Sequence, residues 1–155
     1  MKIAIGADHA GFEMKERVKK VLSSRGHEVQ DFGTDSPEST DYPPYAFHVA
    51  EAVRDGKADR GVLLCDSGNG IAIAANKVEG IRATICINAK MAEMARRHND
   101  SNILVLGSAF TAPGDLEPIV DTWLTTPFDG ARPEGERHVR RLKQIAAYER
   151  THQHQ

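Results

Sequence analysis

The segment Cys65-Asp66-Ser67-Gly68-Asn69-Gly70 places a thiol, a carboxylate and a hydroxyl at the mouth of a glycine-rich turn. Glycines at 68 and 70 let successive backbone N–H groups converge on one point, and a helix that follows adds its positive end, which makes an anion site. A thiol there feels the same field, as reactive cysteines do; the plain alternative is a tight turn beside a buried structural Cys. Asp8-His9 joins a carboxylate to an imidazole, a pair suited to handling protons or polarising a sugar hydroxyl, unless Asp8 caps the helix that starts near Gly11. His98, followed by Asn99, is either an acid/base group or a cation at a helix C-terminus. Arg137 and Arg141 lie four apart on one helix face and could clamp a phosphate, although a solvated basic face is the ordinary explanation of such a pair.

Three familiar motifs are absent from these turns. No glycine is followed by Lys-Ser or Lys-Thr as a P-loop needs, and the first strand leads into Gly6-Ala7-Asp8-His9-Ala10-Gly11 rather than G-x-G-x-x-G. A cysteine phosphatase loop would place arginine six residues after Cys65, where Ile71 stands.

The elements that must position these residues alternate. Strands are expected over Met1–Ala7, His27–Phe32, Gly61–Cys65, Ile81–Ile87 and Asn102–Leu106, with helices over Gly11–Ser24, Pro44–Asp55, Ile71–Lys77, Ala89–His98, Pro113–Leu124 and Glu134–Arg150. Such alternation builds βαβ units and a parallel sheet, whose ligands bind at the carboxyl ends of the strands. The notable residues are expected there: Asp8 and His9 follow the first strand, Cys65 ends the third, and His98 and Asn99 precede the fifth. The polar, proline-bearing connection Gly33–Pro43 is long for such a domain and marks a candidate functional loop.

Composition bounds the rest. The chain has 155 residues with 20 Lys+Arg against 22 Asp+Glu, a net charge of -2, so no broad basic field for nucleic acid exists. One soluble domain over 1–150 is expected, with 151–155 as a frayed tail. Apolar runs are too short for a membrane span, and the amino terminus turns glycine-rich and acidic where a signal peptide would stay apolar, which points to the cytoplasm. Cys65 and Cys86 fit neither a disulfide framework nor a zinc cluster, and Cys86, inside a strand, reads as core.

Four stretches carry a resemblance that spans nearly the whole chain: Ile3 to Phe12 (IAIGADHAGF), Thr40-Asp41-Tyr42-Pro43, Ile71 to Arg82 (IAIAANKVEGIR) and Arg97-His98-Asn99-Asp100. Together they closely resemble the type B ribose-5-phosphate isomerase family, which includes the LacA/LacB galactose-6-phosphate isomerase subunits. The resemblance implies a Rossmann-like three-layer α/β sandwich with a five-stranded parallel sheet. It implies a homodimer or homotetramer with active sites at subunit interfaces, reached by the C-terminal helix of the partner. It implies metal-free, cofactor-free aldose–ketose isomerisation of a sugar phosphate, foremost ribose 5-phosphate to ribulose 5-phosphate, with a tetrulose 4-phosphate or hexose 6-phosphate as alternatives.

Carried over by position, Cys65 would be the base moving a proton between C1 and C2, and Ser67 would assist between the two oxygens. Backbone amides over Asp66, Gly68, Asn69 and Gly70 would stabilise the enediolate. Asp8, His9 and His98, the last from the partner, would hold the sugar and open its ring beside Tyr42 and Asn99, and Arg137 and Arg141 would bind the phosphate. Three positions depart from the pattern. Asp66 replaces a glycine and is expected to face away or to contact a sugar hydroxyl; Ile71 stands where another branch has a glutamate base; and Gly107-Ser108-Ala109 lacks an arginine. The C-terminal motif aligns on Arg132 or on Arg137, and the partner four residues on, Glu136 or Arg141, favours the second frame. From another class, a non-catalytic phosphosugar-binding module would keep the anion site but would not need the thiol.

Overall fold

The computed structural model describes residues 1–152. Strands β1 (Lys2–Ala7), β2 (Glu28–Asp31), β3 (Arg60–Cys65), β4 (Ala83–Ile85) and β5 (Ile103–Gly107) form one all-parallel sheet in the order β2-β1-β3-β5-β4. Parallel neighbours need crossover connections, and α1 (Phe12–Ser24), α2 (Pro43–Arg54), α3 (Asn69–Ala75) and α4 (Ala89–Asn99) supply them. Helices α5 (Leu116–Thr125) and α6 (Glu136–His152) follow.

Side chains alternate along each strand, so both faces of the sheet are apolar and both are covered. Ile3, Ile5, Val62, Leu64 and Leu104 pack beneath α1, α4 and α5, whereas Ala4, Leu63, Cys65, Ile103 and Val105 pack beneath α2 and α3. This is the expected three-layer α/β sandwich. Helix α6 stands apart: of its seventeen residues His138 alone is buried. Its far end is tied by Glu149, whose carboxylate accepts the Gly80 N–H at 3.2 Å.

Several boundaries differ from expectation for local reasons. The first helix begins at Phe12, behind a 3-10 turn over His9–Gly11. The fourth strand shrinks from Ile81–Ile87 to Ala83–Ile85: the Ile81 N–H turns back to the Val78 carbonyl and the Arg82 N–H donates to the Asn102 side chain, while Asn76 takes both backbone groups of Ala83 (2.8 and 2.9 Å) on the open edge. Two 3-10 turns, Asp129–Ala131 and Pro133–Gly135, precede α6. Of the expected frayed tail, Thr151 and His152 are helical, and 153–155 lie outside the described residues.

Within α1, periodicity alone hides a charge. Lys15 is fully buried, with Nζ 2.6 Å from Asp31 Oδ2 and 2.9 Å from Glu16 Oε1, and it lies over the Phe12 ring. Burial raises the Asp31 carboxyl, but hydrogen bonds from Lys15 and Lys19 outweigh it and hold the group below its ordinary 3.8. Removing one partner of a buried pair strands the other charge. In urea unfolding at neutral pH, Asp31→Asn should cost about 2 kcal/mol, and adding Lys15→Met should recover most of it. The parent's advantage over Asp31→Asn should be full above pH 3.8 and vanish as pH falls through the depressed Asp31 value. Equal losses in the single and double variants would show that the pair does not fasten β2 to α1.

Candidate active site

The chain winds from β1 to β2 on one side and then to β3 on the other, so the crevice over the carboxyl ends of β1 and β3 is a switch point of the sheet. Ala7 pairs with Leu64 in the ladder, which brings Asp8 and Cys65 side by side at that rim. Cys65 is 5% exposed and its Sγ accepts the Gly68 N–H at 3.2 Å. Gly68 has φ +84°, a left-handed conformation that only glycine adopts without strain, and it turns the chain directly into α3. The helix therefore starts at Asn69, two residues before the expected Ile71.

The turn is fastened on each side. Ser67 Oγ accepts the Asn69 N–H at 3.2 Å, and the Asp66 carbonyl accepts the Ala109 N–H at 3.0 Å, tying the turn to the end of β5. The N–H groups of Gly70 and Ile71 have no acceptor among the described residues. With the Ser67 N–H, which has none either, they are donors open to an oxyanion. The Tyr42 ring lies against Gly70, where a Cβ would come within 2.5 Å of Tyr42 Cζ. Asp66 and Asn69 are exposed at the mouth.

Asp8 caps: its Oδ1 accepts the N–H groups of Ala10 (3.0 Å) and Gly11 (3.2 Å), while Oδ2 has no partner among the described residues. The bland alternative for Asp8 is thus realised without using up its carboxylate. His9 Nδ1 lies 3.1 Å from Thr40 N and 3.2 Å from Thr40 O. A backbone N–H can only donate, so in the neutral ring this contact makes Nδ1 the acceptor and leaves the hydrogen on Nε2. Thr40 Oγ1 in turn meets the Tyr45 hydroxyl at 3.1 Å. The long loop is thereby pinned to β1 and carries Tyr42 to the thiol turn. Thr40 was not among the sequence candidates, although it opens the Thr40-Asp41-Tyr42-Pro43 stretch. Cys86 is 1% exposed and burial pushes its thiol up to about 11, the behaviour of a core residue.

The other candidates gather elsewhere. His98 and Asn99 end α4, and the Asn99 carbonyl accepts from Arg82 Nε, just before β4 begins. This is the amino end of the sheet, not the carboxyl end expected for these two residues, because α4 runs back from β4 to the start of β5 and ends where that strand begins. β3 carries six residues, so the two ends stand about 16 Å apart. His98 stacks on His138 of α6, ring centroids 4.3 Å apart and planes 12° from parallel. Burial first, then the neighbouring His98, Arg137 and Arg141, push His138 below its ordinary 6.5. Arg137 and Arg141 are exposed and have no carboxylate partner among the described residues, whereas Arg140 pairs with Glu136 and Arg132 faces Asp129. Two unpaired guanidiniums beside two imidazoles form an anion-attracting face. His138 was missed at the sequence level, though it directly follows Arg137.

The described residues of one chain therefore hold two separate clusters: a thiol turn at the carboxyl end of the sheet, and a His/Arg cluster at the amino end. Residues 3–145 match the Ribose/Galactose Isomerase family. The chain is 48% identical to the ribose-5-phosphate isomerase B of Escherichia coli over 96% of each protein. Its fold superposes on that of the Clostridium thermocellum ribose-5-phosphate isomerase B with a TM-score of 0.92, at 48% identity, covering 97% of this chain and 99% of that one. The Mycoplasma genitalium ribose-5-phosphate isomerase B, solved with bound ribulose 5-phosphate, gives 0.88 at 36% identity and 96% coverage of both. The chain belongs to the ribose/galactose isomerase family.

Proposed function

We propose that this chain interconverts ribose 5-phosphate and ribulose 5-phosphate through an enediolate, in sites that two copies of the chain build together. The observation that carries this is the separation of the half-sites: Cys65 ends β3, while His98, Arg137 and Arg141 cluster at the opposite end of the same sheet. A copy whose amino-end cluster faces the thiol turn of another completes the constellation. Exposed apolar side chains agree with such pairing, since Ile145 and Tyr148 of α6 are 51% and 66% exposed and Ile73 of α3 is 62% exposed. Both the homodimer and the homotetramer contain this contact.

In the forward direction the open-chain aldehyde lies with C2 against Sγ. Cys65 takes the C2 proton, the C–H electron pair forms the C1–C2 double bond, and the carbonyl electrons move onto O1. Ser67 passes a proton between O2 and O1, and Cys65 returns its proton to C1, which yields the ketose with no net change in atoms or charge. The free N–H groups of Gly70 and Ile71 receive the developing oxyanion, a contribution of a few kcal/mol per donor. His98 of the partner copy and Asp8 open the furanose ring. His9, Tyr42, Asn69 and Asn99 hold hydroxyls, and Asp66, exposed and without a cation beside it among the described residues, accepts from one more. Arg137 and Arg141 clamp the phosphate. The enzyme belongs, on this account, in the cytoplasm, where phosphorylated sugars are made and consumed. No helix among the described residues is long and apolar enough to cross a membrane.

Cys65→Ala should lower kcat for ribose 5-phosphate by at least about a thousandfold with an unchanged thermal midpoint. Turnover close to the parent's would remove Cys65 as the base. Arg141→Ala should instead raise KM, by about tenfold or more, with a smaller change in kcat, because a lost charge-assisted hydrogen bond weakens ground state and transition state alike. Assayed over four-, five- and six-carbon sugar phosphates, the parent should favour ribose 5-phosphate. A preference for a four- or six-carbon substrate would reassign the sugar and keep the reaction; no proton exchange at C2 with any of them would leave a binding module.

A further inference from the structure

Asp129 is 4% exposed, and its Oδ1 is the one buried side-chain polar atom without a hydrogen bond among the described residues. Buried carboxylate oxygens are almost always satisfied, so a single exception calls for a cause. Oδ2 accepts from Arg97 Nε at 2.9 Å, and Oδ1 faces Arg132 Nε at 3.6 Å, beyond hydrogen-bond reach. Arg97 also reaches back to Glu93 at 3.1 Å, which holds its guanidinium along α4. One carboxylate therefore lies between two arginines of different elements.

What it joins is the second half-site. Arg97 precedes His98 in the last turn of α4, and Asp129 opens the loop that leads into α6. The loop carries Glu134, whose carbonyl accepts from Arg137 Nη1 at 2.6 Å, and α6 then brings His138 onto His98. His138 is the only buried residue of α6, so little apolar packing fixes where this helix starts. The Arg97–Asp129 pair ties α4 to the loop at that point, and Arg96 Nε, donating to the Thr126 carbonyl at 3.2 Å, ties α4 to the start of the same connection.

We propose that Asp129 is a positioning residue: by joining α4 to the loop before α6 it sets the spacing of His98, Arg137 and Arg141 and presents them as one rigid face. This rests on the assignment of that face to phosphate binding. Asp129 touches no substrate and acts through the arginines.

Steady-state kinetics of Asp129→Asn, Asp129→Glu and Arg97→Lys test it, with thermal midpoint and assembly mass measured alongside. Asp129→Asn and Arg97→Lys should each raise KM for ribose 5-phosphate about tenfold with kcat within about threefold, and Asp129→Glu, which keeps the charge, should fall between them and the parent. Should Asp129→Asn not fold, Arg97→Lys carries the test, since that side chain is partly exposed and keeps its charge. A KM within about twofold of the parent's in the folded variants, or a loss confined to kcat, overturns the positioning role. Inhibition by inorganic phosphate in Arg137→Ala/Arg141→Ala separates the two failures: undiminished inhibition there sinks the phosphate assignment itself, whatever Asp129 does.

Discussion

A helix that carries the chain from one parallel strand to the next must run back against both, and α4 obeys this rule between β4 and β5. Its last turn is thereby committed to the amino end of the sheet, while the thiol that ends β3 is committed to the carboxyl end. No side-chain rotation closes a gap of about a strand's length. The chain therefore carries its His/Arg face and its thiol turn at opposite ends of the sheet, and the proposed shared site makes a second copy part of the chemistry rather than an accessory. Helix α6 fits the same constraint: a long helix with a single buried residue is poorly used inside one subunit and well suited to lie across another.

The thiol turn is the complementary half, and it is built for fixed geometry. Gly68 reverses the chain, Gly70 makes room for Tyr42, the Asp66 carbonyl is held by Ala109, and the Ser67 hydroxyl is held by Asn69. The loop bearing Tyr42 is pinned in turn through Thr40 to His9. Each of these bonds orients a group without consuming the atoms that the proposed reaction uses: Asp8 keeps one oxygen, His9 keeps Nε2, and N–H groups of the turn stay free. Preorganisation of this kind lowers the reorganisation required when charge develops on the substrate.

Much of this was legible from residue types alone. The alternation of short β-branched runs with amphipathic stretches announced the parallel sheet, because both faces are covered and the strands read as continuous apolar runs such as Gly61–Cys65. The Cys65 turn announced itself through its glycines. The placement of His98 did not: the resemblance alone assigned it to a partner copy, since strand order depends on long-range packing and nothing local to His98 says which end of the sheet it occupies. Lys15 was hidden because an amphipathic pattern treats every lysine as exposed, whereas its partner Asp31 lies sixteen residues away. Asp129 was hidden for the same reason: its neighbour Arg97 becomes a neighbour only when the loop folds onto α4.

Subunit complementation tests the shared site most directly. Cys65→Ala and His98→Asn chains, each inactive alone, would be unfolded together and refolded as a mixture. If each site draws its thiol from one copy and its imidazole from another, half of the resulting dimers are mixed and each carries one native site, so about a quarter of the parent activity returns. Sites contained within single chains would return none, and a mixture no more active than its two components would contradict the account.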